Sequence, residues 1–443
     1  MSGPQWRGAP RVVLSRRPAA RLLLVPLCVA VTLLAAAGTT LPASGAAGPD
    51  AAPPSPEMVK HPLGEIPPDD PRAEAYSHGN YVLHVAHFLW TTGILGLIVF
   101  SGFGALLQAW AGRFTRSPSL KVAIYAALFM MVGFVAALPF TIYSGFLREE
   151  KYGFANQTFA AWMGDQGKTL LVSIVLQSIF FVVLYAVIRR LGRRWWMAGA
   201  CLAILFAILI IAVAPVFIAP LFNTFEPLKD SDLRSAILAM ARQKGIPASE
   251  VYQVDASRQS SHNNAYVAGL FGTQRIVLYD TVLESFTPRE IKAIMGHEMG
   301  HYVLHHIWKT VAFLAGLVLP GLYLVDRVAR RLIERRPDLG IASISEPSSM
   351  PLIVLVLSVS LFLVGPAIVT FSRMQEHQAD LFGLETTGDP AAAASAFLKF
   401  GRLDLDEYHV HPWIEALLYS HPSLENRVRC AREYAKEHGI TDE

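Results

Sequence analysis

Thr287-Pro288-Arg289-Glu290-Ile291-Lys292-Ala293-Ile294-Met295-Gly296-His297-Glu298-Met299-Gly300-His301 sets two histidines four residues apart behind a helix-start signal. On a helix this spacing puts both imidazoles on one face, where they can grip one Zn²⁺. Glu298, beside the first ligand, is placed to act as general base. Upstream, Thr287 reads as an N-cap, Pro288 as the first helical residue and Glu290 as the reciprocal partner of a capping box. Continued, such a helix carries Ile294, His297, His301 and His305 along one stripe. A solvated helix with His and Glu as surface decoration does not explain why this polar face lies between long apolar runs.

Those runs set the class. Hydrophobic residues make up 53% of the chain and charged residues 16%, a balance too apolar for a soluble enzyme and suited to an integral membrane protein. Residues 75–112, 122–147, 169–188, 195–225, 310–325 and 347–372 contain no Asp, Glu, Lys or Arg. All but 310–325 reach the ~20 residues that cross a hydrocarbon core, and Lys309 and Arg327 can lengthen that one by snorkelling. A seventh candidate, 22–38, follows Arg16, Arg17 and Arg21 and precedes a small-residue stretch, the pattern of a signal peptide or an uncleaved anchor. Cys28, Cys201 and Cys430 imply no disulfide framework and no cysteine metal site. A net charge of +3 gives no argument for nucleic acid.

The organisation follows. Residues 1–50 form a signal-like or first transmembrane segment, and 51–74 an Ala- and Pro-rich linker. Residues 75–221 hold four membrane helices with loops, and 222–308 a metallopeptidase domain. Two further membrane helices occupy 309–373. The C-terminal part of the peptidase domain, 374–443, carries the third ligand. Within the soluble part, 232–244 reads as a helix stopped by Gly245 and Pro247. Residues 251–255 and 275–279 read as strands, and Leu270-Phe271-Gly272-Thr273 as a turn. If all seven segments cross, one side collects the N-terminal arginines with Arg113, Arg116, Lys121, Arg189, Arg190, Arg193, Arg194, Arg327, Arg330, Arg331, Arg335 and Arg336. The other side has only Lys60, Arg72, Arg148, Lys151 and Lys168 in short loops. The positive-inside rule then places the zinc-bearing domain away from the cytoplasm.

Two histidines leave a catalytic zinc site incomplete, because it needs a third protein ligand and an open position for water. His305 and His306 are local candidates, but the extended Gly/His pattern that would recruit a third histidine is absent. Ser372-Arg373-Met374-Gln375-Glu376-His377-Gln378-Ala379-Asp380 is the better source. Glu376 and Asp380 are four apart on a helix leaving the last span, so Glu376 can bind metal while Asp380 hydrogen-bonds a ligand histidine. An exposed charged face including Arg373 is the competing account of that spacing.

With these residues in view, the chain resembles the type I CAAX prenyl proteases, integral membrane zinc metallopeptidases of gluzincin type. The resemblance runs from about Leu138 to Arg427. It rests on Pro139 to Phe154 with Thr158, Asp165 and Lys168; on Ala219-Pro220-Leu221-Phe222-Asn223; on Ser261-His262-Asn263-Asn264-Ala265-Tyr266; on Arg275 to Thr281; on the zinc motif; on Ser372 to Asp380; and on His421-Pro422-Ser423 with Arg427. It implies His297, His301 and Glu376 as ligands of one Zn²⁺ and Glu298 as base. It implies Asn264 as a contact to the substrate backbone, with His421 and Arg427 lining the substrate site. The implied fold is mainly α: about seven transmembrane helices enclosing a chamber, with a zincin-like domain of helices and a small β-sheet. Residues 22–38 would then be a retained first helix, whereas the 38–72 entry suits a signal-peptide junction and a six-helix mature protein.

The expected function is a membrane-embedded zinc metalloendopeptidase acting on a peptide or protein, with or without an attached lipid, inside a lipid bilayer. His421 would fit as a donor to the tetrahedral oxyanion, and Asn264 could hold an extended peptide by strand addition. A quality-control protease for misfolded or exported proteins keeps the same chemistry with a different client. A transporter or scaffold with a structural metal would show damage in the catalytic set, and none is visible.

Overall fold

The computed structural model describes residues 59–270 and 273–441. The 1–50 segment, with its candidate span at 22–38, residues 51–58 of the linker, and Phe271 and Gly272 of the expected turn lie outside the described residues.

Asp70 opens α1 (Pro71–Phe100) by accepting from the Arg72 N–H at 2.8 Å, and Pro71 fills the first helical position. α2 (Phe103–Phe114) follows after Ser101 and Gly102, the latter at φ 72. A single span over 75–112 is therefore corrected to two helices, because left-handed Gly102 ends the first inside an uninterrupted apolar run. α3 (Pro118–Ile142) carries Pro139 and loosens into a π turn, Tyr143–Leu147, before the short α4 (Arg148–Tyr152), which Gly153 stops at φ 80. α5 (Phe159–Leu191) and α6 (Trp195–Val213) are two apolar helices joined at Gly192, φ 56, among Arg189, Arg190, Arg193 and Arg194.

The soluble part begins with β1 (Phe225–Pro227) and α7 (Ser231–Gln243), capped by Asp230. β2 (Val251–Val254), β3 (Ala265–Ala268) and β4 (Arg275–Tyr279) complete a four-stranded sheet of order β1-β2-β4-β3, in which β2 and β4 are parallel and the outer pairs antiparallel. The strands expected at 251–255 and 275–279 are its centre; β1 and β3 were not anticipated. α8 (Asp280–Ser285) leads into α9 (Pro288–Val303), which carries the HExxH motif. α10 (His306–Arg335) follows, then α11 (Met350–Thr387), α12 (Pro390–Leu403), α13 (Pro412–Leu418) and α14 (Leu424–His438).

Among the described residues, five stretches are long and apolar enough to cross a membrane: Pro71–Phe100, Pro118–Tyr152, Phe159–Leu221, His306–Arg335 and Pro347–Thr387. The third contains both α5 and α6, so the six uncharged runs of the sequence correspond to six long helices among the described residues. Two cores hold the chain together. The membrane core joins α1, α3, α5, α6, α10 and α11 around Tyr125, Tyr185, Trp195 and Leu352, each essentially inaccessible. The second seats the sheet and α7 on α9 through Ile237, Ile276, Leu278, Met295 and Met299. Asp326 of α10, a buried carboxylate, is paired, as a charge with little access to water demands. Trp195 donates Nε1–H to Asp326 at 2.6 Å, and Arg330 holds the same carboxylate at 2.7 Å.

α9 and α11 cross almost in backbone contact. A Cβ on Gly383 would lie 2.9 Å from the His297 backbone nitrogen, and one on Gly300 3.1 Å from the Ala379 Cα. Only residues without a side chain permit this approach, and it brings the two halves of the site together.

Candidate active site

The capping box predicted for α9 is present. Thr287 N–H donates to Glu290 Oε2 at 2.7 Å, and Glu290 N–H donates to Thr287 Oγ1 at 3.3 Å. Glu290 is fully buried, and Lys399 of α12 reaches it at 2.8 Å, so the start of the helix is fixed by a desolvated ion pair. The expected stripe through His305 is corrected: α9 ends at Val303, and His305 takes the left-handed conformation at φ 58, turning the chain into α10. Ile294, His297 and His301 stay on α9; His305 does not continue their row.

His297, His301 and Glu376 converge, their ligand atoms all within 4.8 Å of one another. The two Nε2 atoms are 3.1 Å apart. His297 Nε2 lies 3.2 Å from Glu376 Oε2, and His301 Nε2 lies 3.5 Å from Glu376 Oε1. Oε2 is buried and has no hydrogen-bond partner among the described residues despite that approach. Two imidazole nitrogens and an unsatisfied carboxylate oxygen on one centre are a donor set that fits a divalent cation of the zinc class.

The opposite ring nitrogens are also engaged. His297 Nδ1 is 2.8 Å from Asp380 Oδ1; a carboxylate only accepts, so Nδ1 carries the proton and Nε2 presents its lone pair to the centre. Asp380 is gripped by Arg427, whose Nε donates to Oδ2 at 3.0 Å. The Arg427 guanidinium is buried against the Phe397 ring, 4.1 Å from its centroid. His301 Nδ1 lies 3.0 Å from His306 Nδ1, and His306 Nε2 lies 3.2 Å from Gln378 Oε1. If His301 Nε2 faces the centre, its Nδ1–H donates to His306, which then donates to Gln378. Sequence reasoning held His306 only as a spare ligand and passed over Gln378; nothing local to 304–306 signals the turn that makes His306 a supporting partner.

Electrostatics separate the roles. Burial alone would lower the His297 pKa, but the hydrogen bond and charge of Asp380, with Glu376, carry it up to about 10 when no metal is bound. Burial raises the Glu298 carboxyl above its ordinary range, against the opposing charges of His297 and His301, which moves it towards the range of a working general base. Burial pushes His421 down to about 4, outweighing the attraction of Glu376, so its ring is neutral at pH 7 and offers one N–H. Its Nε2 lies 3.4 Å from Glu376 Oε1.

Asn264 precedes β3, and its carbonyl accepts from Tyr279 N–H at 3.0 Å. β3 ends the sheet, so its outer side is an edge available to an extended chain. The loop before it is clamped by His262, stacked on Phe154 with centroids 4.1 Å apart. His262 lies 3.2 Å from Glu149 through Nε2 and 3.2 Å from Asp404 through Nδ1. Sequence reasoning quoted His262 and assigned it nothing.

Comparison with known proteins agrees with this arrangement. Residues 227–435 match the model of peptidase family M48, and residues 64–224 match that of the CAAX prenyl protease N-terminal region, five membrane helices. The uncharacterized metalloprotease YhfN of Bacillus subtilis is 31% identical over 84% of this chain and 87% of its own. The CAAX prenyl protease 1 homolog of Arabidopsis thaliana is 31% identical over 81% of this chain and 86% of its own. The crystal structure of S. mikatae Ste24p superposes with a TM-score of 0.73 at 22% identity, covering 93% of this chain and 96% of the other, which establishes the shared fold. The chain therefore belongs to peptidase family M48 and is a membrane-embedded metalloendopeptidase of the CAAX prenyl protease type.

Proposed function

We propose that His297, His301 and Glu376 hold one Zn²⁺ and that this chain uses it to hydrolyse peptide bonds. The observation that carries the reading is the convergence of those three donors, with Glu298 next to His297 on α9 and within reach of the charges of His297, His301 and Glu376. When bound, the ion would supply Lewis acidity, easing deprotonation of water and polarising a substrate carbonyl. Asp380, steadied by Arg427, keeps His297 in the tautomer whose Nε2 lone pair faces the centre. Glu298 takes the proton of the attacking water and returns it to the leaving amine. His421, neutral at pH 7, donates an N–H where negative charge develops on the carbonyl oxygen. Asn264 and the edge of β3 hold the peptide extended by backbone pairing.

Relatives named CAAX prenyl protease 1 make a prenylated peptide the proposed substrate class. An apolar cavity lined among others by Phe180, Leu184, Ala203, Leu314, Leu357 and Ile368 offers hydrocarbon a contact surface between the membrane helices. The catalytic domain is proposed to face away from the cytoplasm, on the Lys and Arg count. Glu298→Gln tests the mechanism: the variant should retain zinc and lose peptidase activity, and wild-type turnover would refute the role of Glu298. A farnesylated peptide compared with its unmodified form tests the substrate class; equal cleavage favours quality control of unmodified proteins. An alkaline phosphatase fusion after Glu443 should be active, and inactivity reverses the orientation.

A further inference from the structure

The loop that carries His421 is held by an arginine outside the ligand set. Arg373 sits on α11 one turn before Glu376 and is buried, which excludes the solvated charge face that its spacing suggested. Its Nη1 donates to the Glu415 carbonyl at 2.5 Å, to the Tyr419 carbonyl at 2.8 Å and, more weakly, to the Ala416 carbonyl at 3.4 Å. Its Nη2 donates to Thr370 Oγ1 at 2.7 Å. A helix of seven residues leaves its last carbonyls without partners, and a guanidinium inside the protein satisfies them more completely than an ammonium.

Two residues beyond Tyr419 comes His421, and then Ser423 caps α14 by accepting from Asn426 N–H at 3.1 Å. On the far side of the loop, Arg427 of α14 grips Asp380, again on α11. The His421 segment is thus tied at both ends to the helix that bears Glu376. Asp380 holds the downstream end, and Arg373 the upstream end.

We propose that Arg373 is a positioning residue for the reaction: it fixes the end of α13 on α11 and thereby sets where His421 stands relative to Glu376. It touches neither the ligand atoms nor substrate and acts through His421, so this inference rests on the proposed role of that histidine. Misplacement of a transition-state donor by about 1 Å lowers turnover by up to about 100-fold, without weakening ground-state binding in proportion.

The test is a double-mutant cycle on the full-length, zinc-loaded chain, with an internally quenched peptide that the wild type cleaves. Arg373→Gln should lower kcat by about 10- to 100-fold, with KM changed by less than about twofold and zinc content at the wild-type level. Arg373→Lys, which keeps the charge but cannot span the carbonyls, should recover part of the loss. In a His421→Ala background, Arg373→Gln should change kcat by less than about twofold, because the group it positions is gone. Equal fold-losses in both backgrounds, loss of zinc, or unchanged kcat in Arg373→Gln would overturn the proposal. If Arg373→Gln yields no folded protein, the cycle is run with Arg373→Lys under the same criteria. Wild-type turnover by His421→Ala would instead refute the role of His421, which separates the two failures.

Discussion

His262 offers a measurement that is independent of the metal. Its ring bridges Glu149, at the end of the second apolar stretch, and Asp404, after α12; it is 13% exposed and therefore poorly screened. Burial opposes its charge, but hydrogen bonds to Asp404 and Glu149 and their charges raise the pKa to about 9 from an ordinary 6.5. Because the folded value is the higher, the folded state binds the proton more tightly. The stabilisation is complete below pH 6.5, declines as pH rises through the window from 6.5 to about 9, and is lost above it. A shift of this size corresponds to roughly 3 kcal/mol. His262→Gln keeps a hydrogen-bonding side chain without the charge, so it should lower stability by roughly that amount at pH 6 and by little at pH 9.5. Thermal unfolding of zinc-loaded protein in detergent, followed from pH 6 to 9.5, reads this directly. Zinc loading matters because metal-free His297 would titrate near the end of the same window. Melting curves for variant and wild type that stay parallel over the whole range would refute the reasoning.

Other outcomes follow from the same geometry. Glu376→Ala should reduce zinc occupancy, measured as metal per chain after dialysis; unchanged metal would return attention to His305 and His306. Asp380→Asn, which leaves the ligands but weakens the orientation of His297, should weaken zinc affinity about 10- to 100-fold, read by competition with a chelator. Gly383→Ala puts a methyl group 2.9 Å from the His297 backbone nitrogen. It should cost about 1–3 kcal/mol of stability and lower zinc affinity by forcing α9 and α11 apart; wild-type values for both would contradict the close crossing.

The parts of the fold set by local chemistry were legible. Thr287, Pro288 and Glu290 announced the start of α9 because a capping box is made within four residues. The apolar runs announced the membrane helices, and the arginines around Gly192 announced the break there, but hydropathy was blind to the break at Gly102, where conformation and not polarity ends a helix. β1 is three residues long and contains a proline, so only its neighbour β2 makes it a strand. β3, Ala-Tyr-Val-Ala, lacks a β-branched run and exists through its pairing with β4. In the candidate site, Asp380 was expected beside a ligand histidine and stands on His297. Arg373 and His306 were out of reach for one reason: their partners are fixed by a tight turn at His305 and by a loop more than forty residues downstream. No spacing rule spans such separations.

The carboxylate that meets the two histidines is carried by a continuous helix, Met350–Thr387, whose first part belongs to the bilayer. Pro366 interrupts its hydrogen bonding ten residues before Glu376, a lever of about 15 Å. A flexure of about 5° there would displace the carboxylate by about 1 Å, enough to loosen its grip on an ion. If Glu376 holds the ion as proposed, lipid thickness and lateral pressure, acting on the shaft of this lever, would be physical inputs to the chemistry at its tip. The enzyme's response to acyl-chain length should be treated as a property of its active centre and not only of its solubility.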